Sequence, residues 1–299
     1  MKNLTQSFLA TVLLAVSQTA SGQSAETDRE ALQMAAMDAL ISAPEERALP
    51  LASKVLNGNY SDELKERALF VLSQIEQPEA REAVLATARS GSGELREEAV
   101  RMIGIGGDPA SLAELKGLYA DGDEELREAV LQAYLIADDP ESVYEIAANA
   151  DNADDFEDAL DILGAMGARE QLARLRDRAD MSEEWIEAVA VSGDAQLLRE
   201  IALDGSNPER QAKAIESLGI VGGSDVDATL MEIYRSTDKD EIRESALHGM
   251  LISGNDEGVL ELYRDSRDPT EKKELLEYLV MMDSDAIWEI VDQALEETE

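Results

Sequence analysis

Hydrophobic residues recur along this chain at the spacing of an α-helix. In the segment LREEAVRMIG, the apolar residues Leu95, Ala99, Met102 and Ile103 fall where a helix would bring them to one face, and charged residues occupy the positions around them. A β-strand would instead need strict alternation of apolar and polar residues, which this segment lacks. The pattern therefore predicts an all-α protein.

The helical pattern is repeated along the chain at a nearly constant interval. The four copies that align best are 64–80, 95–111, 126–142 and 242–258. A leucine begins the first three copies at a spacing of 31 residues: Leu64, Leu95 and Leu126. A proline follows at the same spacing: Pro78, Pro109 and Pro140. Two columns that keep one period indicate a repeat protein, in which each unit buries its apolar face against its neighbours.

Each repeat is predicted to contain two helices. A proline lies in the first turn of the first helix and a preceding aspartate can cap that turn, as Asp108 does before Pro109. An Asp-Gly-Asp turn at residues 121–123 leads to the next second helix, and the glycines within residues 104–107 end a second helix. A phosphate-binding loop would follow a strand, so these glycines are helix terminators. We expect one α-solenoid of about nine stacked helical hairpins over residues 23–299.

The segment LREEAVRMIG, closely followed by Gly-Gly-Asp-Pro, resembles the bacterial HEAT repeat, including the phycobilisome-lyase-type HEAT-like repeats. The resemblance covers roughly residues 45–282 and implies a HEAT/armadillo-like superhelix. For function it implies only that such arrays bind other proteins. The lyase activity of some relatives is not implied, because no residues of a chromophore site can be matched.

The resemblance also implies a structural ladder, in which an arginine early in the second helix meets an aspartate from the turn between helices. The arginine position is matched by Arg96, Arg127 and Arg243. The aspartate position is matched by Asp121 or Asp123 and by Asp238 or Asp240. Glu157 and Ile186 stand where the basic residue is expected, so the ladder is not expected to continue through the middle of the chain.

Charge narrows the choice of partner. The chain has 26 Lys and Arg residues against 65 Asp and Glu residues, a formal net charge of -39. Nucleic acid is excluded as a partner, because its binders neutralise phosphates with clustered basic residues. Anionic membrane surfaces are disfavoured for the same reason. The acidic excess favours a cationic partner, and it is equally typical of a protein adapted to a salty habitat.

The first 22 residues have the features of a signal peptide. Lys2 precedes an apolar stretch at 8–16, and the small residues 20–22 offer a cleavage site before Gln23. The apolar stretch is too short to span a bilayer, and no later run approaches the necessary length. We therefore expect a periplasmic or secreted protein that is not inserted in a membrane after cleavage.

The residues needed for most catalytic and cofactor sites are scarce. The chain has no Cys and a single His, His248, so a nitrogen- or sulfur-rich metal site cannot be assembled within one chain. A serine nucleophile would need a base, and no nucleophile-elbow motif is present. A pair of carboxylates suited to glycosidic chemistry would be indistinguishable among the many acids. We expect no catalytic residues, no metal and no cofactor.

One acidic column gives the sequence its candidate binding surface. An acid follows the ladder position in six repeats, at Glu66, Glu97, Glu128, Asp158, Glu187 and Glu244. If these side chains project from the second helices on one face, they form a negative stripe suited to a basic peptide or helix. The alternative is that they are solvated, helix-favouring surface residues.

The function predicted from these features is an extracytoplasmic scaffold or adaptor that binds a protein partner, of basic character if the acidic column is used. It is predicted not to be an enzyme. Two alternatives stay open from the sequence: a non-catalytic subunit of an envelope enzyme, and an acidic protein that serves in stress or cation buffering.

Overall fold

The described part of the chain is entirely helical. The computed structural model describes residues 28–91, 93–179, 182–285 and 287–296, which contain nineteen helices and no strand. The predicted all-α class is thereby confirmed, whereas the predicted signal peptide at residues 1–22 lies outside the described residues. Within those residues, no helix is both long enough and apolar enough to cross a membrane.

The helices belong to two compact units, the first reaching Ala137 and the second beginning at Asp138. The helices of the first unit are α1 (28–40), α2 (Glu45–Leu56), α3 (Asp62–Ser73), α4 (Pro78–Ser90), α5 (Glu94–Gly106), α6 (Pro109–Asp121) and α7 (Glu124–Ala137). Those of the second unit are α8 (Pro140–Asn149), α9 (Ala153–Ala165), α10 (Arg169–Arg174), α11 (Arg176–Ala179), α12 (Glu183–Val191), α13 (Ala195–Leu203), α14 (Pro208–Val221), α15 (Ser224–Ser236), α16 (Asp240–Ser253), α17 (Asp256–Asp265), α18 (Pro269–Met281) and α19 (Ile287–Glu296).

Successive helices pair as hairpins and form two layers within each unit. In the first unit the first helices α2, α4 and α6 contact one another, and so do the second helices α3, α5 and α7. In the second unit the second helices α9, α12, α14, α16 and α18 are neighbours in that order. Eight such pairs are formed in the described residues, with α1 and α19 before and after them. This is the α-solenoid architecture that the repeat predicts; one continuous array over residues 23–299 stays a prediction.

A residue with positive φ ends most second helices and fixes their register. Gly107, Gly167, Gly193, Gly222 and Gly254 have φ between 62° and 75°, and Asp138 and Asp283 take the same role with φ of 55° and 53°. We call these seven residues the terminators. A buried residue always lies eight positions earlier: Ala99, Val130, Ala159, Trp185, Ala214, Ala246 and Leu275. Repeats can therefore be aligned by counting backwards from the terminator.

Small residues let consecutive second helices approach closely. A Cβ added to Gly104 would lie 2.6 Å from the carbonyl oxygen of Ala133 on α7, and one added to Gly219 would lie 2.3 Å from that of Gly249 on α16. At Gly164 the corresponding distance is 3.0 Å, to Ala188 on α12. All three glycines lie three residues before a terminator. At these three crossings the helix spacing depends on the absence of a side chain.

The leucine column is not uniformly buried. Leu64 and Leu126 are buried at the start of their second helices, whereas Leu95 in the corresponding place is only half-buried. Gly93, with a φ of 53°, precedes α5.

The capping predicted for the first helices is present. The Asp108 carboxylate accepts hydrogen bonds from the backbone N–H of Ser111 at 2.9 Å and from its hydroxyl at 2.8 Å. Asp139 accepts the same pair of bonds from Ser142. The bond from the Ser111 hydroxyl, followed by that from its N–H, lowers the pKa of Asp108, and Arg81 at 3.3 Å adds to the effect. The ionised carboxylate is thus stabilised in the folded protein.

The ladder arginines tie the second helix to the end of the first. The Nε atoms of Arg96, Arg127 and Arg243 donate to the carbonyl oxygens of Ala88, Tyr119 and Thr237, respectively. Arg127 and Arg243 also lie over the rings of Tyr119 and Tyr234. These bonds satisfy carbonyl groups that the end of a helix leaves without an intrahelical partner.

The ladder aspartates are placed less regularly. The carboxylate of Asp123 caps α7 through the backbone N–H of Leu126 and lies 3.7 Å from Arg96 of the previous repeat. Asp121 is exposed at the end of α6. Within the described residues, neither Asp238 nor Asp240 forms an ion pair with Arg243. Of the four aspartates predicted for the ladder, Asp123 is therefore the one that lies close to a ladder arginine of the previous repeat.

The helix-crossing glycines give a first prediction. Gly219→Ala should lower the free energy of unfolding by about 1–3 kcal/mol, because the new methyl group meets backbone atoms of α16 that cannot rotate away. Gly117→Ala is the matched control, since a Cβ there meets nothing within 4 Å inside α6, and it should stabilise by about 0.5–1 kcal/mol. Urea denaturation followed by circular dichroism measures both. Equal effects of the two changes would contradict the crossing argument.

The Asp108 cap gives a second prediction, in which pH provides the test. At pH 7, Asp108→Ala should cost about 1 kcal/mol of unfolding free energy. Because the folded pKa lies below the ordinary value of 3.8, the stabilisation is complete above that value and is lost as the pH falls through the folded pKa. The difference between the two proteins should therefore narrow in acid. Asp121→Ala, which removes an exposed carboxylate from the same helix, should show no such convergence.

Candidate functional site

Three members of the acidic column meet on the second helices of the first unit. Glu66 on α3, Glu97 on α5 and Glu128 on α7 line one groove. Three more carboxylates line it as well, from Glu94, Glu98 and Glu125. We call this the acidic groove. It brings six carboxylates together on three neighbouring helices, because the repeat places the same surface position side by side in each hairpin.

The positive charge in the acidic groove is already compensated. Arg101 donates from Nε and Nη2 to the two carboxylate oxygens of Glu98, at 2.8 and 2.6 Å. Gln132 donates to Glu128 at 3.0 Å. Burial raises the pKa of Glu66, and the neighbouring charges of Glu98 and Glu94 raise it further. The ionised form of Glu66 is therefore disfavoured, and a cation entering the groove would relieve that cost.

A second groove lies on α14, α16 and α18 of the second unit, and Glu244 of the acidic column is one of its residues. Glu216 and Glu241 add carboxylates, and Nδ1 of His248 lies 3.7 Å from Oε1 of Glu216. Its other residues include the apolar or aromatic Pro208, Ala212, Leu251, Tyr278 and Met281. We call this the mixed groove, because both apolar and acidic side chains line it.

Charge crowding also affects the edge of the mixed groove. Burial raises the pKa of Glu274, and the charge of Glu244 raises it further. Burial likewise raises the pKa of Tyr278, with Glu244 and Glu274 as the next causes. The second helices thus hold crowded carboxylates in both units.

Two members of the acidic column lie at other repeat positions. Glu66, Glu97, Glu128 and Glu244 all lie two residues before a buried residue of the core, whereas Asp158 directly precedes buried Ala159. Glu187 lies about one helical turn closer to its terminator, Gly193, than Glu97 lies to Gly107. Glu187 forms an ion pair with Lys213. The register of Glu187 differs because α12 has only nine residues whereas α5 has thirteen, so that Glu187 lies nearer to its terminator.

An apolar position that the sequence analysis did not single out is exposed in most repeats. Two residues before the terminator stand Ile105, Ile136, Val191, Ile220, Ile252 and Met281, with exposures from 43% at Ile105 to 62% at Val191. Counting backwards from the glycine terminators would have found four of these six positions in the sequence. Its exposure could not have been predicted, since it depends on which side of the helix faces solvent.

Groups that could hold a metal ion are not found where the chain is described. No set of three or more His, Asp or Glu residues there has a suitable arrangement. The single histidine, His248, is exposed on α16 and lines the mixed groove.

A comparison with protein families identifies the repeat. The family model described as HEAT repeats matches residues 49–135, which begin within α2 and end within α7. The acidic groove lies entirely within this matched segment. No curated protein matches the sequence.

Solved structures give weaker similarities. The complex of CpcE and CpcF of phycocyanin lyase from a Nostoc species is 16% identical, over 81% of this chain and 95% of that chain, with a TM-score of 0.35. Human deoxyhypusine hydroxylase in complex with glycerol is 15% identical, over 80% of this chain and 96% of that chain, with a TM-score of 0.36. Similarities of this size transfer no activity and no ligand.

The repeated hairpins and the family match lead to one assignment. The match covers three consecutive hairpins of the first unit, and hairpins with the same positive-φ terminators recur through the second unit. Residues 49–135 of this chain are HEAT repeats.

Proposed function

We propose that this HEAT-repeat protein is a non-catalytic scaffold outside the cytoplasm, and that it binds a basic segment of a partner protein across its second helices. The acidic groove carries the proposal, since its six carboxylates surround one arginine that Glu98 already neutralises. Repeat proteins present extended surfaces to which each repeat adds one element. A surface of that kind suits an extended or helical segment of another protein.

Electrostatics explain why the segment would be basic. Like charges on neighbouring helices repel, and the pKa of Glu66 is raised by burial first and then by this repulsion. A lysine or arginine among Glu66, Glu97 and Glu128 would interact with several carboxylates at once. Each exposed ion pair contributes only about 0.2–1 kcal/mol. A useful affinity therefore requires several basic residues in one segment.

The charge of the whole chain supports the same partner. A net charge of -39 attracts a basic segment from a distance and speeds its association at low ionic strength. It also repels other acidic proteins, which limits wrong partners. Arginine would be favoured over lysine at positions where two carboxylate oxygens can be contacted together.

Export can be tested directly. In a host with a secretory pathway, the protein is expected to be cleaved before Gln23, because small residues precede that position and an apolar stretch precedes them. Mass spectrometry of the purified protein should then give the mass of residues 23–299. Deletion of residues 2–22 should leave the protein in the cytoplasm. An exported protein that keeps Met1 would contradict the cleavage, and a wild-type protein retained in the cytoplasm would contradict export.

The acidic groove can be tested with a peptide of ten lysines as the probe. Glu66→Gln, Glu97→Gln and Glu128→Gln together should weaken binding about tenfold at low salt, since three ion-pair contributions of modest size are lost. The dependence of affinity on salt should also become shallower. Fluorescence anisotropy of the labelled peptide measures both. Stability should be unchanged or slightly higher, because the pKa of Glu66 shows that its charge is disfavoured in the fold.

A matched variant controls for the change in net charge. Glu46→Gln, Glu79→Gln and Asp121→Asn remove three exposed carboxylates from the first helices of the same unit. This control should bind the peptide nearly as the wild type does. If both triple variants lose the same affinity, binding follows net charge alone and the acidic groove is not the site.

A further inference from the structure

The exposed apolar position forms a row across the second unit. Val191 on α12, Ile220 on α14, Ile252 on α16 and Met281 on α18 each lie two residues before a terminator. Their helices contact one another in that order. All four side chains are exposed. We call them the apolar row. Contiguous exposed apolar residues on a repeat surface are typical of an interaction site.

A polar row accompanies the apolar row one helical turn earlier. Four residues before each apolar side chain stand Glu187, Glu216, His248 and Glu277. Side chains four residues apart lie on the same face of a helix. Met281 and Glu216 both line the mixed groove, together with Glu241, Glu244 and Tyr278. The apolar row therefore borders a surface on which carboxylates predominate.

The basic residues on this face do not cancel its charge. Lys213 pairs with Glu187, and Lys273 lies 3.7 Å from Glu277. His248 lies 3.7 Å from Glu216. Glu241, Glu244 and Glu274 remain beside the groove in addition to these pairs, and the pKa of Glu274 is raised by burial and then by the charge of Glu244. The surface next to the apolar row is net negative.

We propose that the apolar row and the mixed groove together bind a basic amphipathic helix of a partner protein, with its apolar stripe on the row and its lysines or arginines over the carboxylates. This inference rests on the proposed scaffold function and adds a second surface with its own ligand chemistry. The acidic groove offers mainly charge, because six glutamates line it and its apolar lining is limited to Ala129.

Spacing and charge favour this occupant. Packed helices lie about 8–10 Å apart, and residues seven apart on a helix are separated by about 10.5 Å along its axis. A helix with an apolar residue at every seventh position can therefore place one side chain beside each member of the row. A second copy of this chain is a poor occupant, because both surfaces would be negative.

The test uses the full mature chain and two designed peptides of identical composition. One peptide carries leucine at every seventh position of a lysine-rich helix, and the other has the same residues scrambled. The amphipathic peptide should bind at least about tenfold more tightly than the scrambled one, since only it can bury its leucines together. Isothermal titration calorimetry gives both affinities. Equal affinities would overturn the proposal.

Variants locate the site. Ile220→Ser with Ile252→Ser should weaken binding of the amphipathic peptide about tenfold or more, and should leave the scrambled peptide unaffected. Both side chains are exposed, so the fold should be retained. The control is Ile105→Ser with Ile136→Ser at the same repeat position of the first unit, which should leave binding of the amphipathic peptide unchanged. Equal loss in both double variants would overturn the assignment to the second unit.

Further outcomes separate this inference from the proposed function. If the Glu66, Glu97 and Glu128 triple variant binds ten lysines normally while the Ile220 and Ile252 variant loses the amphipathic peptide, the acidic groove fails and the present proposal stands. If instead the triple variant loses binding to ten lysines while the Ile220 and Ile252 variant still binds the amphipathic peptide, the proposed function stands and the present proposal fails. If the wild-type protein binds phosphatidylcholine vesicles and the Ile220→Ser and Ile252→Ser variant does not, the ligand of the apolar row is lipid and the proposal of a partner helix is overturned. If sedimentation shows that the wild-type protein is a dimer and that the same variant is a monomer, the row binds a second copy of this chain and the proposal of a partner helix is overturned.

Discussion

Consecutive second helices touch backbone to backbone at one position of the repeat. Gly104, Gly164 and Gly219 occupy that position, and at Gly219 an added Cβ would lie only 2.3 Å from a backbone oxygen of the next helix. The contact fixes both the distance between neighbouring helices and their relative register. At these three crossings the contact holds successive helices alike, which rows of equivalent side chains require.

The acidic groove follows from this constraint. Equivalent glutamates on α3, α5 and α7 are brought side by side, where burial and mutual repulsion raise the pKa of Glu66. The repeat thus holds like charges together although their repulsion opposes the packing. That arrangement is tolerable because the groove is open to water and because packing of the apolar core supplies most of the folding free energy.

The two units use the same repeat positions differently. In the first unit the position one turn before the exposed apolar residue is Arg101 or Gln132, and the adjoining groove is lined mainly by carboxylates. In the second unit that position holds Glu187, Glu216, His248 and Glu277, and the adjoining groove contains Tyr278 and Met281. One scaffold can therefore carry two surfaces of different chemistry, a division that the helical period alone would not reveal.

The sequence by itself determined the helical class, the two-helix repeat, the capping by Asp108 and the HEAT resemblance, since each depends on local spacing and on residues close in the chain. It also brought Glu66, Glu97 and Glu128 into one column, because their repeats are of equal length. Tertiary structure decided the rest. Asp158 and Glu187 leave that column, Glu187 because α12 has nine residues where α5 has thirteen, and the backbone conformation of the terminators restores the alignment. Burial of Trp185 and exposure of Ile220 were likewise set by neighbouring helices, because exposure is a property of packing and cannot be determined from a residue's own position in the chain.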